Sequence, residues 1–239
     1  MPNPVSPTPT TRFGQAMNQA LHGDLKRRGV FTAEQRFAVA LAGTAALPLP
    51  AGQRTAAMAA LLSEGMAPAM AEDILIQMAA YLGYPRADAA LAALAAAGGR
   101  LSPLAGAAGD DDARYAAGTG VYGQLNPHAL KAIQTAFGEI AGDVVGLTFR
   151  SFGDVFASSA QPLTLRQLAT VAGLSVLGTA QPQLKFHMGA ALNVGVTQAQ
   201  LVEAVIWVQF LAGMPAAYNA LTALKEAIDD GTEAPPGYQ

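Results

Sequence analysis

The sequence predicts an all-α protein built from two tandem copies of one helical unit. Apolar residues recur at helical spacing along most of the chain, and no segment shows the alternation that is typical of strands. Glycine, proline and carboxylate positions recur at one nearly constant spacing in the two halves, which indicates an internal repeat. The composition agrees, because 51% hydrophobic but only 7% aromatic residues, with alanine most common, favours closely packed helices.

The first copy is expected to span residues 12–98, after a flexible Pro-rich tail at 1–11. Its first segment, 12–29, has the apolar spacing of an amphipathic helix. Thr32 and Gln35 then form a capping-box pattern ahead of an apolar run that ends at Pro48. Three further helices are predicted, at about 52–63, at 68–82, and from Pro85 to about 98.

The second copy is expected to span residues 114–230, between a Gly-, Ala- and Asp-rich linker at 99–113 and a tail at 231–239. Helices are predicted at 113–121, 127–137 and 143–156. Thr164 and Gln167 repeat the capping-box spacing and open an apolar helix that ends at Gly178. The chain then predicts a helix carrying His187, a turn at Gly195, a long helix from Thr197, a break at 213–215 and a last helix to 228.

Composition and charge exclude several classes of function. The net charge of −3 with no basic stripe argues against a nucleic-acid partner. With no cysteine, the chain cannot form disulfides, thiolate metal sites or a thiol nucleophile. No residue spacing suggests a metal or cofactor site, and no apolar run is long enough to cross a membrane. The amino terminus lacks the pattern of a signal peptide, so the expected location is cytoplasmic.

Comparison of the two copies distinguishes residues that both share, which are expected to be structural, from residues in one copy alone, which are expected to be functional. Gly65 and Gly195 are both kept, and Asp73 is matched by the carboxylate of Glu203. His187 is different, because its counterpart in the first copy is Ala57. The two capping-box patterns lie slightly further apart than the two glycines, which predicts a short insertion or deletion between them. We therefore expect the first copy to be a scaffold and the second to carry the site.

The second copy contains a series of motifs in a fixed order, over residues 114–228. They resemble those of the carboxymuconolactone decarboxylase family, and within it the γ-carboxymuconolactone decarboxylase branch. The peroxidase branch of that family needs a CxxC before the histidine, whereas this chain has Ala180 and Gln183 there. The motifs are Arg114-Tyr115-Ala116-Ala117-Gly118, Gly153-Asp154-Val155-Phe156, Leu165-Arg166-Gln167-Leu168, Leu184-Lys185-Phe186-His187, Gly189 to Thr197, and Ala212-Gly213-Met214-Pro215.

The resemblance implies a set of site residues, each with a structural alternative. His187 would transfer a proton near neutral pH, or it would be a buried, hydrogen-bonded core histidine. Arg166 would bind a substrate carboxylate, or it would be a solvated arginine at a helix start. Asp154 would be an acidic partner of His187. Glu203 is a further candidate, although Asp73 repeats it in a copy without histidine, which favours a structural role.

The resemblance also implies a function: a lyase or isomerase that needs no cofactor and acts on a small acidic lactone. His187 would then protonate the carbon that loses carbon dioxide. Two alternatives stay open, a biosynthetic cyclisation of a larger apolar substrate and a non-catalytic binding or assembly protein. The two copies would pack as a pseudo-dimer, and the chain would assemble further into a homo-oligomer, with a trimer expected.

Overall fold

The computed structural model describes residues 12, 16, 23–102, 109–157 and 160–232. Within these residues the chain forms helices and no strand, which confirms the predicted all-α class. The tail at 1–11, most of the helix expected at 12–29, positions 103–108 of the linker and most of the final tail lie outside them. The helices are α1 (Leu25–Arg27), α2 (Ala33–Ala46), α3 (Ala51–Ser63), α4 (Pro68–Leu82), α5 (Tyr84–Ala96), α6 (Asp111–Leu125), α7 (Pro127–Phe152), a π-helical segment (Gly153–Ala157), α8 (Leu163–Leu177), α9 (Gln181–Asn193), α10 (Gln198–Ala212) and α11 (Met214–Thr232).

Helices α2–α5 and α8–α11 start at paired positions with the same offset in every pair: 33 and 163, 51 and 181, 68 and 198, 84 and 214. The connecting glycines adopt matching backbone angles, with φ of 101° at Gly65 and 98° at Gly195. The pair Gly83 and Gly213 has φ of 83° and 87°. A positive φ suits glycine because a Cβ would be strained there. The same local rules therefore shape both four-helix units.

The two units interlock through their first helices. Helix α2 packs along α8, α4 also reaches α8, and α10 reaches α2. Gly43 on α2 leaves room for Leu211 of the second unit, and the matching Gly173 on α8 leaves room for Met78 of the first. Most of α2 and α8 is buried on every side, as expected of helices at the centre of a protein.

Helices α6 and α7 form a hairpin that packs beside this double unit. The two helices approach backbone to backbone at two glycines. A Cβ on Gly118 would lie 1.8 Å from the carbonyl oxygen of Phe149, and one on Gly153 would lie 2.0 Å from that of Arg114. An aromatic cluster fills the space between the hairpin and the second unit; it contains Tyr122, Phe149, Phe152, Phe156 and Phe186.

Two local predictions were wrong. Thr164 does not cap a helix: α8 begins at Leu163 after Pro162, with no side-chain cap. The two units therefore keep one constant register along all four helix pairs, and the insertion inferred from the capping boxes is not there. The separate helices expected at 127–137 and 143–156 correspond to the two parts of α7, which is interrupted at Ala141, where φ is −150° and ψ is 43°.

The surface of α7 carries an apolar stripe formed by Phe137, Ile140, Val144 and Leu147, all exposed. Phe137 and Ile140 lie before the kink at Ala141, and Val144 and Leu147 lie after it. Among the described residues, no helix is both long and apolar enough to cross a membrane.

Candidate active site

His187 lies in the middle of α9, and its side chain is buried, with 4% of its surface exposed. Burial disfavours the charged imidazolium and lowers the pKa of His187 to about 3. The expectation of a histidine that titrates near neutral pH was therefore wrong, because desolvation dominates. At pH 7 the ring is neutral, with one nitrogen that donates a hydrogen bond and one that accepts.

The hydrogen bond with Gln167 determines which ring nitrogen of His187 donates a hydrogen bond and which accepts one. Its side chain is fully buried on α8, and its Oε1 lies 2.9 Å from Nδ1 of His187. A carboxamide oxygen only accepts hydrogen bonds, so Nδ1 carries the proton and donates it. The other ring nitrogen, Nε2, is left with its lone pair as a base. Gln167 also has a buried Nε2 amide with no hydrogen-bond partner in the described part of the chain.

Two aromatic rings hold the imidazole edge-on. Tyr81 of α4 lies 5.0 Å from it, measured between ring centroids, and the planes cross at 88°. Phe186 lies 4.9 Å away at 80°. The Tyr81 hydroxyl is buried and makes no hydrogen bond of normal geometry with a described residue; a weaker contact with the Thr170 hydroxyl partly offsets the effect of burial on its pKa. Burial raises the pKa of Tyr81, so this phenol stays protonated at neutral pH.

Arg166 is 2% exposed, so the alternative of a solvated arginine was wrong. Its Nε donates to Oε1 of Gln77 at 2.8 Å. Its two terminal nitrogens donate to the carbonyl oxygens of Phe156, at 2.7 Å, and Val155, at 2.6 Å. The guanidinium also lies 4.2 Å above the Phe156 ring, and burial lowers its pKa to about 10. Arg166 therefore fastens the π-helical segment to α8 and brings one positive charge into the interior.

Gln77 completes this contact from the first unit. Its Nε2 donates to the carbonyl oxygen of Arg166 at 2.9 Å and to the hydroxyl of Thr170 at 2.7 Å. The network of Arg166, Gln77 and Thr170 thus joins α4 to α8. Buried polar groups with complete hydrogen bonding fix helix positions firmly.

Asp154 is paired with Arg114 on α6. Nε of Arg114 donates to Oδ1 at 2.7 Å, and its NH2 group donates to Oδ2. The guanidinium holds the pKa of Asp154 below its usual range. The structure gives His187 a different polar partner, Gln167, so the expected partnership of Asp154 with His187 is not formed here. Two motifs singled out in the sequence, at 114–118 and 153–156, instead meet through this ion pair and through Gly118 and Gly153.

Glu203 is 2% exposed on α10 and accepts a hydrogen bond from Nε of Arg28, at 2.8 Å. It lines a surface depression with Arg28, Val30 and Gln198, and His187 is not among the lining residues. This arrangement agrees with the structural alternative, a carboxylate that bonds a neighbouring segment.

The sequence identified His187 and Arg166 as neighbours of one site but missed three residues around them. The sequence pattern predicts a helix-cap role for Gln167, and Gln77 and Tyr81 belong to the first copy, which carries no histidine at the matching position. The signal that could have revealed these three residues is the spacing between Gly65 and Gly195, if the same spacing is used to pair every position of the two units. In that register Arg36 matches Arg166, whereas Phe37 stands opposite Gln167 and Leu211 opposite Tyr81.

A surface depression of about 480 Å³ lies at the ends of the helices that carry the site, and neither His187 nor Gln167 is among its lining residues. Its walls include Leu163 and Thr164, in the first turn of α8, and Asn193 and Val194, at the end of α9. The same two helices carry Gln167 and His187. Among the described residues no cluster of three or more histidine or carboxylate side chains is arranged to hold a metal ion.

The geometry thus defines an all-α protein with a buried histidine, a fixed tautomer and a buried arginine. Comparison with known proteins shows what this part of the chain is similar to. Residues 145–226 match the model of the Carboxymuconolactone decarboxylase family. An 85-residue region is 33% identical to a 4-carboxymuconolactone decarboxylase of Acinetobacter baylyi; it covers 36% of this chain and 63% of that relative's length. The matched segment contains Arg166, Gln167 and His187, and Tyr81 lies outside it.

Proposed function

We propose that the protein is a cofactor-independent lyase that decarboxylates a small acidic lactone, with His187 as the group that carries the proton. The observation that carries the proposal is a neutral, buried imidazole whose Nδ1–H is fixed by Gln167. Its Nε2 is then a base in a desolvated setting, where electrostatic interactions are strong. The similarity to a 4-carboxymuconolactone decarboxylase supports this class of reaction.

The charge state of His187 sets the order of events. A neutral imidazole cannot begin as the acid, so the substrate binds with its carboxyl group protonated and Nε2 of His187 accepts that proton first. The carbon–carbon bond to the carboxylate then breaks, carbon dioxide leaves, and the electron pair passes into the lactone as a dienolate. The imidazolium returns the proton to carbon, which restores the neutral ring. One carboxylic acid gives one carbon–hydrogen bond and one carbon dioxide.

Arg166 supports this sequence through its charge. A dienolate is stabilised most by charges and donors that are already in place before it forms. The buried guanidinium is held by Gln77 and the backbone of 155–156, so it does not have to reorganise. The resemblance implies that Arg166 binds a substrate carboxylate. The guanidinium would make that contact without leaving the position in which Gln77 and the backbone hold it.

The unpartnered polar groups favour a ligand site over a merely structural histidine. Buried polar atoms in folded proteins nearly always have a hydrogen-bond partner. Here the amide nitrogen of Gln167 and the hydroxyl of Tyr81 both lack one among the described residues, and both side chains contact His187. A polar guest beside the imidazole would satisfy them.

The test is turnover of carboxymuconolactone by the purified full chain, followed by ultraviolet absorbance and released carbon dioxide. We expect turnover by the wild type and a loss of at least about 100-fold in kcat for His187→Ala. His128→Ala is the matched control, since His128 is exposed on α7 and should keep full activity. A folded His187→Ala variant with undiminished turnover would refute the role of His187.

A cyclisation or rearrangement of a larger apolar substrate is the second candidate. The aromatic rings of Tyr81 and Phe186 beside the imidazole, with Phe156 against Tyr81, favour it, because they offer an apolar wall. The same two histidine variants separate it from the first candidate. If wild-type protein leaves the lactone unchanged but converts a larger enolisable lactone in a His187-dependent way, this second candidate replaces the first. Absence of both activities supports a binding or assembly protein.

A further inference from the structure

Each of the two units lacks a polar residue of the candidate site that the other unit has. In the register shared by their helices, the second unit has His187 and Gln167 where the first has Ala57 and Phe37. The first unit has Tyr81 where the second has Leu211. Each unit alone is therefore missing a polar group that the other retains. The retained groups come from different parts of the chain, on α4, α8 and α9.

The packing brings these retained groups together. Helix α4 of the first unit crosses onto α8 of the second, so the Tyr81 ring meets the imidazole of His187 edge-on at 5.0 Å. Gln77 lies one turn before Tyr81 on α4 and donates a hydrogen bond to the carbonyl oxygen of Arg166. This bond fixes the position of α4 along α8. The contact is thus held by a buried cross-unit network and not by the rings alone.

The equivalent positions on the other side of the molecule are apolar. They are occupied by Ala57, Phe37 and Leu211, and Trp207 stands in the place of Gln77. Phe37 and Trp207 are both buried in the cores of their units. Of the two related places, one holds polar side chains and the other holds core residues, where the indole nitrogen of Trp207 is buried without a hydrogen-bond partner among the described residues.

We propose that Tyr81 donates a hydrogen bond to the enolate oxygen that forms beside His187, so that the two units build one active site between them. This inference rests on the proposed function. The first unit is then not only a scaffold, since it supplies the donor that the second unit lost at Leu211.

The state of the Tyr81 hydroxyl fits this task. Its oxygen is buried and makes no hydrogen bond of normal geometry with a described residue, so an oxyanion, a stronger acceptor than the nearby Thr170 hydroxyl, can take its hydrogen. A phenol that stays neutral can donate its hydrogen to a developing oxyanion without giving the proton away. His187 moves the proton to and from carbon, and Tyr81 holds the oxygen. The two groups therefore act on different atoms of the substrate.

The first test compares Tyr81→Phe with Tyr84→Phe. Loss of one donor to an oxyanion costs about 100-fold in kcat, and KM should change little because the charge develops only in the transition state. Tyr84 lies one residue after Gly83 and is 73% exposed, so its phenylalanine variant should keep wild-type kinetics. Removing an unpartnered buried hydroxyl should not lower the thermal midpoint. Wild-type kcat in Tyr81→Phe would overturn the inference, even if His187→Ala is inactive.

A binding measurement tests the inference separately from turnover. The probe is 4-nitrophenolate, a planar anion with delocalised oxygen charge, titrated into the full chain and followed by its absorbance. We expect binding by the wild type and a loss of about tenfold or more in affinity for Tyr81→Phe, since a hydrogen bond to a charged group is removed. Equal affinity in both proteins, or no binding by the wild type, would overturn the inference. If the probe binds in this way but the lactone is not turned over, only the proposed reaction fails.

Discussion

His187 is the residue in which position, charge and tautomer are most closely linked. The apolar surroundings keep it neutral, and Gln167 keeps the proton on Nδ1. In the proposed reaction His187 therefore acts first as a base, which accepts a proton, and then as an acid, which returns it. A solvent-exposed histidine such as His128 has none of these constraints.

The first prediction at this scale concerns stability against pH. In the unfolded chain His187 takes up a proton at its ordinary pKa of 6.5, whereas in the folded protein burial delays this to about 3. Stability from the buried neutral ring is therefore complete above pH 6.5. It is lost as the pH falls toward 3, by about 1.4 kcal/mol per pH unit at most.

Urea unfolding at about pH 7.5 and about pH 5 measures this effect. The wild type should lose more stability between the two than His187→Gln does, and His128→Gln should behave as the wild type. An identical pH dependence in the wild type and His187→Gln would show that the ring is not desolvated.

Sequence reasoning found His187 because the repeat isolates it, but it could not find the side chains around it. Gln167 matched the spacing of a capping box, and only packing against α9 shows that it faces a histidine instead. Tyr81 belongs to the other unit and is far away in the sequence, so the contact depends on how two units pack. Such contacts are not encoded in any local pattern.

At the scale of helices, the close approach of α6 and α7 depends on glycine. In Gly118→Ala the new methyl group would meet the carbonyl oxygen of Phe149 at 1.8 Å, so the hairpin must separate. We expect this change to destabilise the protein by about 2 kcal/mol or more, although alanine favours a helix by about 1 kcal/mol over glycine.

Gly120→Ala is the matched control, since it lies in the same helix and nothing lies within 4 Å of its added Cβ. It should raise the stability by about 0.5–1 kcal/mol, as measured by the same urea unfolding. Equal effects at the two glycines would contradict the backbone contact.

The helix starts offer a second test at this scale. Thr197 accepts a hydrogen bond from the backbone of Gln200, whose side chain bonds back, whereas Thr164 has the same sequence spacing but makes no cap. Thr197→Ala should cost about 1 kcal/mol of unfolding free energy, and Thr164→Ala clearly less. Equal costs, measured by thermal and urea unfolding, would restore the capping box that the sequence suggested at Thr164.

On the scale of the whole molecule, the shared helix register and the interlocked α2 and α8 explain why the fold class could be read from the sequence. Periodicity and the glycine positions recur in both units and are local features. The arrangement of the units is not local, because it depends on which faces of α2 and α8 meet. The two units therefore could be recognised in advance, whereas a site that spans them could not.

Assembly of the whole chain stays a prediction. The expected trimer has a mass of three times 24.4 kDa, which light scattering of the purified protein measures directly. Ile140→Lys places a charge in the exposed α7 stripe and tests whether that face takes part. A mass of one chain for the wild type would contradict the prediction.

The central claim, a buried neutral histidine with its proton on Nδ1, is tested most directly by nitrogen-15 magnetic resonance of the imidazole. The His187 signals are assigned by their loss in His187→Ala. The account predicts a protonated Nδ1 and an unprotonated Nε2 that do not change between about pH 5 and about pH 8. A His187 ring that titrates near pH 6.5, or that carries its proton on Nε2, would contradict it.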